Sequence, residues 1–219
     1  MTTGHEFERG NDMRETEKVK VELEAVKTIK FVGGTILGTL SIVMVPFTQF
    51  IPDLPWGMKM FDPTSFPWLI AFFLFGVEAA LISATVGAIG ITFLGHTHFI
   101  GAIMKFSATV PMFLVPAAII KVLPKINYSS KTLRKPYIWF PLAFFGALTR
   151  FVVCFFLNLY WAVPLWTGLT TSEVLETFGG YFNFFLIVVG WNAWQSFWDA
   201  LLPWLIIYST KLNENYSYW

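Results

Sequence analysis

A polar opening gives way to a series of long apolar runs. Residues 1–30 mix Lys, Arg, Glu and Asp with isolated apolar positions, and residues 31–50 then form an apolar run without a charge. About 20 apolar residues cover a hydrocarbon core roughly 30 Å thick, so this run predicts a first spanning helix. Residues 51–65 contain Pro52, Pro55, Gly57 and Pro63, which stop a helix and predict an ordered loop. The apolar stretch 66–95 is too long for one span of ordinary tilt and is interrupted around Gly76 and Glu78, predicting two short helices hinged there. A polar turn at His96, Thr97 and His98 leads into a fourth helix over 99–122. A basic loop over 121–135 precedes fifth and sixth helices over 137–166 and 181–212. The expected fold is an all-α integral membrane protein with six transmembrane helices. Residues 1–30 form its polar lead-in, 31–212 its membrane domain and 213–219 a tail.

Charge orients this arrangement. Arg9, Arg14, Lys18, Lys20, Lys27 and Lys30 precede the first helix, Lys121, Lys125, Lys131, Arg134 and Lys135 join the fourth to the fifth, and Lys211 ends the sixth. Six spans put all three groups on one face, which the positive-inside rule makes cytoplasmic together with both termini. Reading 66–95 as a single span would separate the basic clusters, so the charges support the hinge. Residues 1–30 lack the apolar core of a cleavable signal and are expected to form a partly helical lead-in at the membrane surface.

Composition agrees with a lipid solvent: 55% of residues are hydrophobic and 13% charged. The balance of 15 basic against 14 acidic residues gives no attraction to nucleic acid. Cys154 is the single cysteine and reads as an apolar filler. Trp56, Trp68, Trp161, Trp166 and Tyr181 fall near predicted interfaces and read as anchors. Trp191, Trp194, Trp198 and Trp204 lie inside the sixth helix, where one or two are candidates to line a cavity.

Polar residues at membrane depth carry more information, because each costs free energy unless it faces the bundle interior. Asn192, Gln195 and Asp199 are spaced by three and four and share one helical face. Arg150 and Asp199 lie at matching depths, which permits an ion pair fixing two helices. Asn158, Asn192 and Gln195, nearer the outer half, suit either a polar ligand cavity or interhelical hydrogen bonds, and Lys105 joins them from the fourth helix. His96 and His98 offer two ligands to a metal, which do not complete a site; no metal, catalytic residue or cofactor is expected.

Several segments resemble one family. The stretch MKMFDPTSFPWLIAFFLFG over 58–76 looks like the first-loop and second-helix signature of the substrate-binding S components of energy-coupling factor vitamin transporters, above all the riboflavin-specific ones. Residues 101–121 and 192–208 are similar to the family's fourth and sixth helices, and NLYWAVPLW over 158–166 resembles the end of its fifth. Gly34-x-x-x-Gly38 resembles the small-residue stripe through which S components meet their coupling partner. The resemblance implies a multi-pass subunit of a prokaryotic cell membrane that captures a vitamin or precursor at the outer side. It also implies a transmembrane coupling protein and two cytoplasmic ATPases as partners, and this chain has no G-x-x-x-x-G-K-[ST] loop of its own.

The substrate-binding set expected from the residues and the resemblance together is Asn158, Asn192, Gln195, Lys105, Asp62, Thr64, Ser65 and Trp191. Gly34 and Gly38 are expected to serve coupling. Riboflavin-type members carry Lys where this chain has Gln195, so riboflavin and another flat, polar vitamin both stay open as substrate. A metal transporter or intramembrane enzyme using His96 and His98 is the competing class.

Overall fold

Gly76 divides the apolar run 66–95 where the hinge is expected. Its backbone lies at φ +86° and ψ −173°, a region essentially reserved for glycine, so α2 (Phe66–Phe75) ends there and α3 (Val77–Leu94) starts afresh. The computed structural model describes residues 3–52, 59, 61–95, 97–123 and 127–219, with side chains described from Val19 onward. Its other helices are α1 (Thr3–Thr48), α4 (His98–Thr109), α5 (Pro111–Val122), α6 (Ser130–Leu133), α7 (Pro136–Leu157), α8 (Val163–Thr167), α9 (Thr171–Thr177), α10 (Tyr181–Ser209) and α11 (Leu212–Tyr216). A 3-10 turn, Pro63–Ser65, leads into α2, and a π-helical turn, Asn158–Ala162, joins α7 to α8. The polar lead-in is helical from Thr3 and runs without a break into the first apolar helix.

Among the described residues, four stretches, Val19–Thr48, Val77–Leu94, His98–Val122 and Pro136–Thr167, are long and apolar enough to cross a membrane. The pair α9 and α10, bent by 81° at Gly179 and Gly180, makes a fifth when the two are taken as one broken span. Pro63–Phe75 is shorter. At 1.5 Å per residue it measures about 20 Å, less than the roughly 30 Å hydrocarbon core. These helices are compatible with a multi-pass membrane protein.

The short helix is the centre of the packing. A helix that is apolar all round has no face for solvent and must be enclosed. Accordingly Trp68, Leu69, Ala71, Phe72 and Phe73 of α2 are all completely buried. Phe73 meets Trp139 of α7 at 4.8 Å and Tyr208 of α10 at 5.5 Å between ring centroids, and Phe72 meets Phe113 of α5 at 6.0 Å. Trp68, expected as an interfacial anchor, instead packs over Gly87 and donates its indole N–H to Ser41 Oγ at 3.0 Å. Ser41 Oγ in turn donates to the Thr64 carbonyl at 2.6 Å, tying α1 to the turn before α2.

The basic segments collect at one end of the bundle. Lys30 reaches Glu78 beside the Gly76 hinge, and Trp219 packs on Gly76 and donates to the Phe73 carbonyl. Tyr128 packs at a tilt against Trp219 and lies under the Lys121 ammonium, while Arg134 pairs with Glu214 at 2.8 Å. The C-terminal ends of α1 and α3, the start of α4 and the end of α8 gather at the other end, around the cavity described next.

Candidate functional site

The site grows from two local features. Asp62 caps the turn before α2: its Oδ1 accepts from the Thr64 amide at 3.1 Å and from Thr64 Oγ1 at 2.6 Å. At the start of α8, Pro164 has no amide proton to give the turn before it, and the chain after α7 widens into the π-helical turn that starts at Asn158. Between these features lies a cavity of about 280 Å³, lined by the loop before α2 and by α1, α3, α4, α7, α8 and α10.

Six of the eight expected binding residues, Asn158, Asn192, Gln195, Lys105, Asp62 and Thr64, stand in its wall. Ser65 and Trp191 do not, and both are corrected. Ser65 is completely buried behind the wall, its Oγ donating to Asp199 Oδ1 at 2.6 Å. Trp191 is displaced about 100° round the helix from Asn192, off the face that Asn192, Gln195 and Asp199 share.

The polar groups are already heavily engaged with one another. Lys105 Nζ lies 3.0 Å from Asp62 Oδ2 and donates to the Asp62 carbonyl at 3.2 Å. Burial works against ionisation of Asp62, but Lys105 and the Thr64 hydrogen bonds outweigh it and hold the carboxyl below its usual range. Arg150 is completely buried and spreads its guanidinium across one face of α10. Its Nη1 donates to Asp199 Oδ2 at 2.7 Å, Nε to Asn192 Oδ1 at 2.9 Å and Nη2 to Gln195 Oε1 at 2.5 Å. The expected Arg150–Asp199 pair is thus present, and it recruits two residues expected to face a ligand. Gln195 Nε2 donates onward to the Lys59 carbonyl at 2.6 Å, tethering the loop, and Lys59 Nζ donates to the Thr48 carbonyl at 3.0 Å. Asn158 Nδ2 returns to the Cys154 carbonyl at 2.7 Å.

Trp166 is the functional candidate that sequence reasoning assigned elsewhere. Expected as an anchor, it lines the cavity, and its buried Nε1 has no hydrogen-bond partner among the described residues. Trp56 and His96 lie outside the described residues. His98 starts α4 with a left-handed backbone, φ 48°, and no metal-ligating group of three His, Cys, Asp or Glu side chains forms among the described residues.

Gly34 and Gly38 require a further correction. Both are buried against α3 of the same chain: a Cβ on Gly34 would lie 2.6 Å from the Ala79 carbonyl oxygen, and one on Gly38 2.9 Å from that of Ser83. The stripe closes an internal helix pair, so it is not free to meet a partner. Gly38→Leu is therefore expected to destabilise the protein by about 1–3 kcal/mol through overpacking. Thermal unfolding in detergent measures this; unchanged stability would return the stripe to a partner surface.

Comparison of the chain with protein-family models, curated proteins and solved structures returned no match.

Proposed function

We propose that this chain is the substrate-capturing membrane subunit of a vitamin importer, working as the S components of energy-coupling factor transporters do. In this reading the chain spans six times, with α2 as a short second span, both ends in the cytoplasm and the cavity open to the outer side. The observation that carries the reading is the cavity itself. It sits at the end of the bundle away from the basic segments, under the loop before α2, and its wall contains six residues singled out from the sequence. Capture requires such an outward pocket, and import requires partners: a transmembrane coupling protein and two ATPases supply the energy that this chain has no nucleotide loop to harvest.

Two measurements test the proposal. A cysteine at Thr97 or Thr171 in a Cys154→Ala background is expected to react with an impermeant thiol reagent from outside intact cells; reaction only after permeabilisation would overturn the six-span topology. Protein purified without added ligand is expected to carry a small molecule into the denatured extract, identified by mass. Riboflavin, the reference ligand of the resemblance, would also show in the visible absorption spectrum. An empty protein that binds no vitamin on titration would overturn capture.

A further inference from the structure

We propose that the basic turn between α5 and α7 holds the headgroup of an anionic phospholipid. The inference needs the apolar helices to lie in lipid and is independent of what the cavity captures.

The turn stands at a membrane boundary. One spanning stretch ends at Val122 and another begins at Pro136. They run side by side, for a Cβ on Gly146 of α7 would lie 2.8 Å from the Pro111 carbonyl oxygen of α5. Residues 121–135, which join them, hold five basic residues and no acidic one.

Packing fixes this turn while leaving its cations outside. Leu133 is completely buried, and α10 donates to the turn twice, from Tyr208 Oη to the Ser130 carbonyl and from Trp204 Nε1 to the Leu133 carbonyl, each at 2.8 Å. The Thr132 and Lys135 carbonyls accept from nearby backbone amides. These bonds spend acceptors that would otherwise answer a lysine. Lys131 and Lys135, and Lys211 after α10, are exposed and make no ion pair or side-chain hydrogen bond among the described residues. Arg134 alone of the turn's described cations has a counter-charge, Glu214.

What adjoins the cations selects the occupant. Val122 is 79% exposed and Tyr137 is 70% exposed, at the facing ends of the two spans. A phospholipid meets both chemistries at once: its phosphate faces the ammonium groups and its chains lie along the apolar side chains beside them. A free phosphate or a nucleic acid would use the cations and leave Val122 and Tyr137 unmatched.

The test uses the full chain purified in a neutral detergent. It is titrated with dioleoyl phosphatidylglycerol or dioleoyl phosphatidylcholine, and bound lipid is counted by native mass spectrometry. Phosphatidylglycerol is expected to bind about tenfold more tightly, since each cation near a headgroup contributes about a factor of five. Lys131→Gln with Lys135→Gln is expected to remove that preference. The melting temperature in detergent alone should stay unchanged, because neither lysine has an internal partner to lose. Lys20→Gln with Lys27→Gln takes two cations from α1 instead and is expected to keep the preference. Equal binding of the two lipids, or a preference that survives Lys131→Gln with Lys135→Gln in folded protein, would overturn the proposal. Loss of the preference in the α1 variant as well would reduce the effect to diffuse charge attraction and overturn a site at this turn. Displacement of phosphatidylglycerol by excess glycerol phosphate, which has the headgroup chemistry without the chains, would overturn a lipid as the occupant.

Discussion

Replacing Arg150 with Met is expected to be the most damaging single change to the folded protein. The guanidinium is completely buried and donates to three side chains of α10. Its removal leaves the Asp199 carboxylate without its cation, and breaking a buried pair from one side costs about 3–5 kcal/mol. Removing both charges together is a different experiment, because replacing a buried pair by apolar groups is often close to neutral. Arg150→Met with Asp199→Leu should therefore recover much of the loss, though not all: Ser65 loses its acceptor on Asp199, and Asn192 and Gln195 keep unpaired oxygens. Thermal unfolding of the two single variants and the double variant measures this. If Arg150→Met alone costs under about 1 kcal/mol, the fork is not the brace between α7 and α10 described above. The same variant should weaken ligand binding, because Arg150 orients Gln195 and Gln195 holds the Lys59 carbonyl beside the cavity.

This network also marks how far the sequence could be read. The depth of Arg150 on α7 matches that of Asp199 on α10, so their pairing was legible from helical rise alone, and the hinge at Gly76 from the length of the run around it. Spacing likewise put Asn192, Gln195 and Asp199 on one face. What spacing cannot give is the rotation of α10 against α7, which decides whether that face meets a ligand or Arg150. It meets Arg150 closely enough to use both amide oxygens, while Asn192 and Gln195 still reach the cavity wall.

The tryptophans show the same limit from another side. Trp68 and Trp166 both sit near predicted helix ends, and amphipathic anchoring fits any such residue. Only packing separates them: Gly87 leaves Trp68 a buried seat with Ser41 as acceptor, while Trp166 lies in the cavity wall with no acceptor among the described residues. Gly34 and Gly38 are a matter of partner choice. Small residues four apart announce a close helix approach without naming the second helix, and that helix is α3. Thr170 and Glu173 carry a readable signal between the fifth and sixth predicted helices: their capping box starts α9.

Lys105→Met is expected to add a pH dependence to the protein's stability that the intact Lys105–Asp62 pair does not contribute. In the intact pair, burial opposes ionisation of Asp62 while Lys105 and Thr64 favour it more strongly, so the carboxyl sits below its usual range. A depressed carboxylate contributes stability that is complete above its unfolded pKa, about 3.9, and is lost only as pH falls through the lower folded value. Across roughly pH 5–8 the pair is therefore fully charged, and its contribution is flat. Without Lys105 the burial that opposes ionisation is set only against the Thr64 hydrogen bonds, and the carboxyl rises above its usual range. The sign then reverses: Lys105→Met should be least stable near neutrality and recover as acid protonates Asp62. Its loss at neutral pH should reach about 1–3 kcal/mol, below the full figure for a sealed pair, because the Asp62 side chain is 17% exposed at the cavity. Lys105→Met with Asp62→Asn removes the titrating group and should flatten the profile again. Thermal unfolding from about pH 5 to 8 separates the cases, and a Lys105→Met profile as flat as the double variant's would show that Asp62 is wet enough to stay ionised without its partner.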